Sequence, residues 1–343
     1  MMTMISPLLS QTLHRSTGST IIKRLRTTVA ITREIPDSFI DAVSFHYNND
    51  HQSSSTSSAG VVSLQKAREQ HTNYIDILKQ TLEDGNVINL PAIESHPDCL
   101  FVEDTMVAIG DTAVITSMGH ESRRGEVDSI KSVLLEDLQG RLKNVYDMND
   151  NNEANIDSNN NDMKEHFLLP TCDGGDVLYT GRHLFVGITD RTNEIGFEHL
   201  RKVFAQYHGL LKEEDVIPIH MMSIDDNSDG KGKGGGVLHL KSAVTHIDEE
   251  TLLLPEGHLG DVLQEAMEVT DRGYRTIRLP DVLSCNAVVI NGHVLAQDSP
   301  CSVSKRRIEN ACMERSSGVT FVDTSELAKK DAALTCCSVL LSV

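Results

Sequence analysis

The sequence lacks a long hydrophobic run: its 343 residues contain no stretch of about 18 consecutive apolar residues, the length that a membrane-spanning helix needs. It also lacks an excess of basic residues, because 50 Asp and Glu outnumber 31 Lys and Arg and leave a net charge of −19. A basic surface is typical of nucleic-acid binding, so nucleic acid and membrane are both disfavoured as partners. The acidic balance is compatible with a cationic small-molecule ligand, and a hydrophobic share of 39% is ample for a core.

The seven cysteines lack the CxxC spacing that zinc sites and redox motifs use. They are scattered along the chain, except for the adjacent pair Cys336 and Cys337. An odd number of scattered cysteines indicates free thiols in a reducing compartment, which favours the cytoplasm. Because cysteine is among the residues most often buried, the simplest interpretation of the final pair is two small core side chains.

Acidic residues are absent from the first 33 residues, which carry basic side chains at Arg15, Lys23, Arg24 and Arg26 among many Ser and Thr. This composition is typical of an organelle transit peptide, which would place the protein in the mitochondrion. A disordered extension without a targeting role explains the composition equally well. In either case we expect residues 1–26 to precede the folded domain.

Three internal stretches are poor in hydrophobic residues and rich in Ser, Asn, Asp or Gly: residues 46–60, 148–165 and 225–236. Segments of this composition cannot bury enough apolar surface to pack, so we expect them to be polar insertions at the surface. The remainder of residues 27–343 is expected to form a single domain.

Short strand-like runs occur in pairs about a turn, which is typical of β-hairpins. Four hairpins are predicted, over residues 106–116, 177–188, 243–254 and 287–296. The fourth has Asn-Gly at its centre, the strongest short hairpin signal. A fifth run, LTCCSVLL near the end of the chain, is predicted to be a strand from Leu334 onward, and the N-terminal TTVAI (27–31) is expected to pair with it and close a ring.

Helical periodicity alternates with these hairpins. Apolar residues recur at helical spacing over residues 63–82, 123–138, 196–207, 259–269 and 302–315. Five sheet units that alternate with helices predict an α/β fold. Repeated hairpin-plus-helix units favour one closed domain over two independent ones.

Polar residues that could take part in chemistry lie just upstream of each predicted hairpin or strand. They are Asp98, Glu103, Asp104, Asp173, Asp176, His239, Cys285, Asn286 and Cys336. Equivalent positions of repeated units in a ring converge on its axis, so we expect several carboxylates, one histidine and one cysteine to meet there. A thiolate is a nucleophile, a histidine transfers protons near neutral pH, and two carboxylates can hold a planar guanidinium cation. Taken singly, the histidine could be structural and the aspartates could be turn formers.

Six segments resemble the motifs of the dimethylarginine dimethylaminohydrolase family. They are IESHPDCLFVEDT, SRRGEVDSIKS, CDGGDVLYTGR, RTNEIGFEHL, LHLKS and LTCCSVLL, and they follow that family's order through residues 27–343. The resemblance implies a five-bladed pseudosymmetric α/β propeller of the guanidino-group-modifying superfamily. It also implies hydrolysis of asymmetric dimethylarginine or monomethylarginine to citrulline and dimethylamine or methylamine, through a covalent thiouronium on a cysteine.

The resemblance assigns catalytic roles to three residues. Cys336 would be the nucleophile, His239 the general acid and base, and Asp173 the carboxylate that orients His239. Cys337 should then be structural and point away from Cys336, since neighbouring residues of a strand face opposite sides.

The resemblance assigns substrate binding to five residues. Asp98 and Asp104 would hold the substrate guanidinium, with Glu103 beside them. Arg123 and Arg191 would bind the α-carboxylate of the substrate, a task that suits the bidentate fork of arginine.

Two other functions are compatible with the same residues. An arginine deiminase would act on unmethylated arginine with similar chemistry, and a non-catalytic protein could keep the fold and bind an arginine analogue. The hydrolytic chemistry needs no cofactor, although zinc held by Cys336 beside a histidine would inhibit it. The expected partner is a small methylated arginine, and the sequence leaves the oligomeric state open.

Overall fold

The computed structural model describes residues 26–42, 61–82, 86–138, 140–150, 169–221, 239–315 and 318–343. Residues 1–25 of the predicted extension and nearly all of the three predicted insertions lie outside these ranges. The boundary of the domain at residue 27 and the cellular location therefore stay predictions.

Within the described residues, fifteen strands form five three-stranded sheets. The first sheet contains β1 (Val29–Arg33), β2 (Val87–Leu90) and β15 (Val339–Leu341). The others are β3 (Met106–Ile109), β4 (Thr112–Ile115) and β5 (Asn144–Asp147); β6 (Val177–Tyr179), β7 (Leu184–Ile188) and β8 (Val216–His220); β9 (Thr245–Asp248), β10 (Thr251–Pro255) and β11 (Arg275–Leu279); and β12 (Ala287–Ile290), β13 (His293–Gln297) and β14 (Gly318–Val322). In every sheet the middle strand pairs antiparallel with one neighbour and parallel with the other.

Four of the five antiparallel pairs are the predicted hairpins, and all four hairpins are confirmed. The third strand of each sheet was not predicted. β5, for example, is a four-residue strand without a buried side chain, so it carries no clear alternation of apolar and polar residues.

Strands β1 and β15 lie at opposite ends of the chain and share one sheet. Val29 pairs with Leu341 and Ala30 with Leu340 in antiparallel register. The predicted pairing of residues 27–31 with the C-terminal strand is therefore confirmed, and it ties the last sheet unit to the first.

Five α-helices are described, and each connects the middle strand of a sheet to its parallel neighbour. They are α1 (Leu64–Thr81), α2 (Val127–Glu136), α3 (Glu194–Arg201), α4 (His258–Ala266) and α5 (Ser302–Arg315), which agrees with the predicted periodicities. α1 begins at a serine cap, where Ser63 accepts a hydrogen bond from the Lys66 amide. None of the helices in the described ranges combines the length and the apolar character needed to cross a bilayer.

The strand predicted from Leu334 is wrong at its start. Residues Thr335–Cys337 form a 3₁₀ turn, and β15 begins only at Val339. The amides of Cys336 and Cys337 donate to the carbonyls of Ala333 and Leu334, so local turn bonds replace the sheet pairing that the apolar run predicted.

His71 on α1 is buried, and its Nε2 lies 2.8 Å from the carbonyl oxygen of Arg33. Burial disfavours the charged ring more strongly than this hydrogen bond favours it, and it lowers the pKa of His71 to about 4. The folded protein therefore holds this histidine neutral at pH values where an unfolded chain would protonate it.

We expect the free energy of unfolding to decrease as the pH falls from 6.5 to 4, because the unfolded chain takes up a proton on His71 that the folded protein rejects. For this one group the loss is roughly 3 kcal/mol. Denaturant unfolding at several pH values in this window, on wild type and His71→Gln, measures the contribution. The variant should show a shallower pH dependence, and an equally steep one would contradict the assignment.

Candidate active site

Each sheet unit opens with a 3₁₀ turn, and these turns carry the polar residues that the sequence singled out. The turns are Val102–Thr105, Gly174–Asp176, Leu240–Ser242, Leu283–Cys285 and Thr335–Cys337, and no more than two residues separate each turn from the start of β3, β6, β9, β12 or β15, respectively. Asp173 and His239 occupy the position just before their turns, and Cys336 lies at the centre of the last one. The fold thus brings the turns that carry Asp173, His239 and Cys336 into one region, where neighbouring turns contact one another.

One pocket collects most of the predicted site residues. It is lined by Asp98, Phe101, Asp104, His120, Arg123, Asp173, Arg191, His239, Ser242, Lys330, Asp331, Ala332 and Cys336. Seven of the eight predicted site residues are in this set, and Glu103 is the exception. The pocket therefore brings a thiol, two imidazoles, several carboxylates and two guanidinium groups together.

His239 and Asp173 form a buried pair. Nε2 of His239 lies 3.1 Å from Oδ2 of Asp173, and Oδ1 of Asp173 accepts a hydrogen bond of 2.8 Å from the Gly119 amide. Because its second oxygen is tied to the backbone, Asp173 holds the imidazole in one orientation. This geometry fits the orienting role that the family resemblance implies.

The charge of His239 is set by competing influences. Burial disfavours the imidazolium, but the carboxylates of Asp104, Asp176 and Asp173 outweigh it and raise the pKa of His239 to about 9. The ring is therefore protonated at neutral pH and can donate a proton to a leaving group.

Asp104 is held by Arg123 and by the backbone. Its Oδ2 accepts a hydrogen bond of 2.6 Å from Nη1 of Arg123, and its Oδ1 accepts one of 2.8 Å from the Gly175 amide. Burial opposes ionisation, but His239 and Arg123 outweigh it and lower the pKa of Asp104. Asp104 therefore carries a negative charge next to the imidazolium.

Arg123 is buried and uses most of its donors within the protein. Its Nε and Nη2 donate to the two carboxylate oxygens of Glu126 at 3.0 and 2.8 Å, and Nη2 also donates to the Phe101 carbonyl. A guanidinium engaged in this way orients Asp104 directly. Its role as a ligand of the substrate carboxylate stays a prediction. Glu126, which holds the Arg123 guanidinium through both carboxylate oxygens, was not predicted from the sequence.

Glu103 lies behind the pocket rather than in it. Its Oε1 is 2.7 Å from Nζ of Lys241, and its Oε2 accepts a hydrogen bond from the Thr335 hydroxyl. Glu103 and Lys241 both line a second cavity of about 700 Å³. Glu103 therefore faces a different space from its sequence neighbour Asp104, and its predicted contact with the substrate stays a prediction.

Cys336 and Cys337 occupy different environments. Cys336 lines the pocket, whereas Cys337 is fully buried in an apolar cluster with Leu334, and its thiol contacts the Ala333 carbonyl. Burial and the neighbouring Glu103 and Asp104 carboxylates raise the pKa of the Cys336 thiol well above its ordinary value. A bound cation would reverse this effect and favour the thiolate.

Cys285 was also a candidate from the sequence, but it does not line the Cys336 pocket. It is completely buried in an apolar cluster with residues of β9 to β13 and α5, whereas the next residue, Asn286, accepts a hydrogen bond from the Thr335 amide. Asn286 thus supports the turn that carries Cys336. Of these two neighbours, Asn286 therefore lies next to the site as predicted, and Cys285 does not.

Three buried groups have a spacing that a metal ion could use. The ligand atoms of Asp104, Asp173 and His239 all lie within 4.8 Å of one another. However, His239 and Asp173 already bond each other, and the Arg123 cation already neutralises Asp104. Each of the three groups therefore already has a partner within the protein. Inhibition by zinc at Cys336 stays a prediction.

Comparisons with known proteins identify one family. Residues 36–221 match the family model described as N,N dimethylarginine dimethylhydrolase, eukaryotic. The N(G),N(G)-dimethylarginine dimethylaminohydrolase of Pseudomonas aeruginosa is 27% identical over 275 residues, which cover 80% of this chain and 87% of that relative. The protein of the same name from Streptomyces coelicolor is 26% identical over 275 residues, with coverage of 80% and 86%.

Solved structures show the same fold. A DDAH from Pseudomonas aeruginosa, a variant complexed with citrulline, superposes with a TM-score of 0.66 at 24% identity and covers 92% of this chain and 100% of its own. The N-terminal domain of ArgZ, an arginine dihydrolase from Cyanobacteria, superposes with a TM-score of 0.60 at 15% identity, with coverage of 91% and 97%. The predicted five-bladed α/β propeller is confirmed.

Proposed function

Because the chain belongs to the N,N dimethylarginine dimethylhydrolase family, we propose that it hydrolyses asymmetric dimethylarginine or monomethylarginine to citrulline and the corresponding methylated amine. The observation that carries this proposal is the single pocket in which Cys336 lies with the His239–Asp173 pair and with the carboxylates Asp98 and Asp104. These are the groups that substitution at a guanidinium carbon requires: a nucleophile, a proton donor and anions that hold the cation.

The first half of the reaction forms a covalent intermediate. The substrate guanidinium binds beside Asp98 and Asp104, and its positive charge lowers the pKa of the Cys336 thiol, so that the thiol releases its proton to solvent and the thiolate forms. The sulfur attacks the guanidinium carbon. The C–N bond to the methylated nitrogen breaks, and protonated His239 gives its proton to the departing amine, which leaves a thiouronium on Cys336.

The second half releases citrulline. His239, now neutral and still oriented by Asp173, takes a proton from a water molecule that attacks the thiouronium carbon. The C–S bond then breaks and releases the Cys336 thiolate, and the hydroxyl group loses its proton as the ureido group of citrulline forms. The thiolate takes up a proton, so that Cys336 and His239 return to their starting states as thiol and imidazolium. No group outside the protein, the substrate and water takes part in these steps.

A citrulline assay tests this function against its two rivals. Purified protein is incubated separately with asymmetric dimethylarginine, monomethylarginine and arginine, and the release of citrulline is measured. We expect turnover of the methylated substrates. Turnover of arginine alone would favour a deiminase, and binding without citrulline from any of the three would favour a non-catalytic protein.

We propose that Arg191 binds the α-carboxylate of the substrate and that Arg123 holds Asp104. Arg191→Ala should then mainly raise KM, with a loss of roughly 2–5 kcal/mol in kcat/KM, the range for a lost buried ion pair. Arg123→Ala should lower kcat and stability as well, because it leaves Asp104 and Glu126 without their cation. Steady-state kinetics and thermal unfolding separate the two effects.

Arg124 supplies a matched control for these substitutions. It follows Arg123 directly, is exposed and does not line the pocket. Arg124→Ala should leave kcat, KM and the melting temperature close to those of the wild type. Normal binding and turnover in both Arg191→Ala and Arg123→Ala would show that neither assignment is correct.

A further inference from the structure

Asp176 is a completely buried carboxylate for which the proposed mechanism has no role. It ends the CDGGD segment three residues after Asp173 and lies on the turn ahead of β6. Burying a carboxylate is costly unless hydrogen bonds compensate for the lost water. Its bonding partners therefore indicate what it does.

Among the described residues, the three hydrogen-bond donors to the Asp176 carboxylate belong to segments that carry candidate site residues. Oδ1 accepts a bond of 3.0 Å from the amide of Leu240, the residue after His239. Oδ2 accepts bonds of 2.8 and 2.7 Å from the hydroxyls of Thr189 and Thr192. One carboxylate thus ties the turn behind His239 to the segment around Arg191.

The two threonines extend this connection to further site residues. The Thr192 hydroxyl also accepts a hydrogen bond of 3.1 Å from the Asp173 amide, so it fixes the backbone of the residue that orients His239. The Thr189 hydroxyl accepts a hydrogen bond of 3.0 Å from the Arg191 amide. Asp173, Arg191 and the turn behind His239 are therefore all anchored to the same buried group.

We propose that Asp176 is a positioning residue: it aligns the His239–Asp173 pair with Arg191, and its negative charge helps to keep His239 protonated. This inference rests on the function proposed above and deepens it. Burial raises the pKa of Asp176 to about 6, with His239 and the Thr192 hydroxyl opposing the rise, so the group is mostly ionised at neutral pH. The carboxylates that raise the pKa of His239 are Asp104, Asp176 and Asp173. Besides Asp104 and Asp173, the ionisable groups that line the pocket with His239 are Asp98, His120, Arg123, Arg191, Lys330, Asp331 and Cys336.

Asp176→Asn removes the charge and keeps the shape. The pKa of His239 should fall by roughly one unit, the lower end of what one neighbouring charge contributes. The pH above which kcat declines should decrease by the same amount. The value of kcat itself should fall by roughly tenfold or more, since His239 donates its proton less effectively. The ring pKa is measured by NMR titration with His239→Gln to assign the signal, and kcat is measured by citrulline release.

Asp281 supplies the matched control. It accepts hydrogen bonds from the hydroxyls of Ser284, Ser299 and Ser304 and does not line the Cys336 pocket. Asp281→Asn should lower the melting temperature without moving the His239 pKa. If Asp176→Asn likewise lowers the melting temperature and leaves the ring pKa and the kcat profile unchanged, Asp176 is only structural and the proposal is wrong.

A second pair of variants covers the case in which Asp176→Asn does not fold. Thr192→Val removes only the shared hydroxyl, and Thr192→Ser keeps it. We expect Thr192→Val to lower kcat severalfold and Thr192→Ser to restore it, whereas equal kcat values in the two variants would overturn the proposal. The NMR titration does not depend on turnover, so an inactive wild type would contradict the proposed function and leave the role of Asp176 separately testable.

Discussion

Cys336→Ser should abolish the release of citrulline while the fold and substrate binding persist. A hydroxyl is far less acidic than a thiol, so the bound cation cannot convert it into a nucleophile at neutral pH. We expect kcat to fall by roughly 10⁴-fold or more, as when a catalytic nucleophile is removed from other enzymes. Steady-state kinetics, calorimetric titration with substrate and thermal unfolding measure the three properties.

Cys337→Ser is the matched control, because it makes the same chemical change one residue away. The new hydroxyl would lie in the apolar cluster around Leu334, so stability should fall by about 1–3 kcal/mol while turnover persists. An electrophilic arginine analogue should label Cys336, and excess substrate should suppress the labelling. Mass spectrometry that instead located the adduct on Cys337 or Cys285 would refute Cys336 as the nucleophile.

His239→Gln should lower kcat by roughly 10²–10⁴-fold, the usual contribution of a general acid and base. The wild-type rate should also decrease as the pH rises through about 9, because the imidazolium that protonates the leaving amine is lost above that value. In the variant this high-pH limb should be absent. Both effects are read from the pH profile of kcat.

His183→Gln tests whether the effect is specific. His183 is also buried, with Nδ1 2.7 Å from the Tyr274 hydroxyl, but it does not line the Cys336 pocket. This variant should keep the high-pH limb and most of the activity. If His239→Gln retained wild-type kcat at neutral pH, proton transfer would have to come from another group and the mechanism above would be wrong.

The local patterns of the sequence were sufficient to predict most of the helices and hairpins of the fold. The alternation of apolar residues defined the four hairpins, and helical spacing defined α1 to α5, because both signals depend on neighbours within a few residues. Pairing of residues 27–31 with the C-terminal run followed from counting strands that lacked a partner. The parallel third strands, such as β5, could not be read in this way because their partners are distant in sequence and their own patterns are weak.

The candidate site residues were recognisable because they lie in short, distinctive motifs. The sequence by itself, read through its family resemblance, determined that Cys336, His239, Asp173 and Asp98 belong to one site. Only the tertiary structure decided where the adjacent residues Glu103 and Asp104 lie. Asp104 lines the pocket with His239, whereas Glu103 pairs with Lys241 and lines a second cavity.

The tertiary structure also decided the roles of the buried charges. Arg123 is clamped by Glu126 and Asp104, and Asp176 connects three separate segments. A motif specifies which side chain stands at a position, but it does not specify which donors and acceptors the fold brings within 3 Å of it. Hydrogen bonds and buried charges act over such short distances that these roles became apparent only once the five sheet units were assembled.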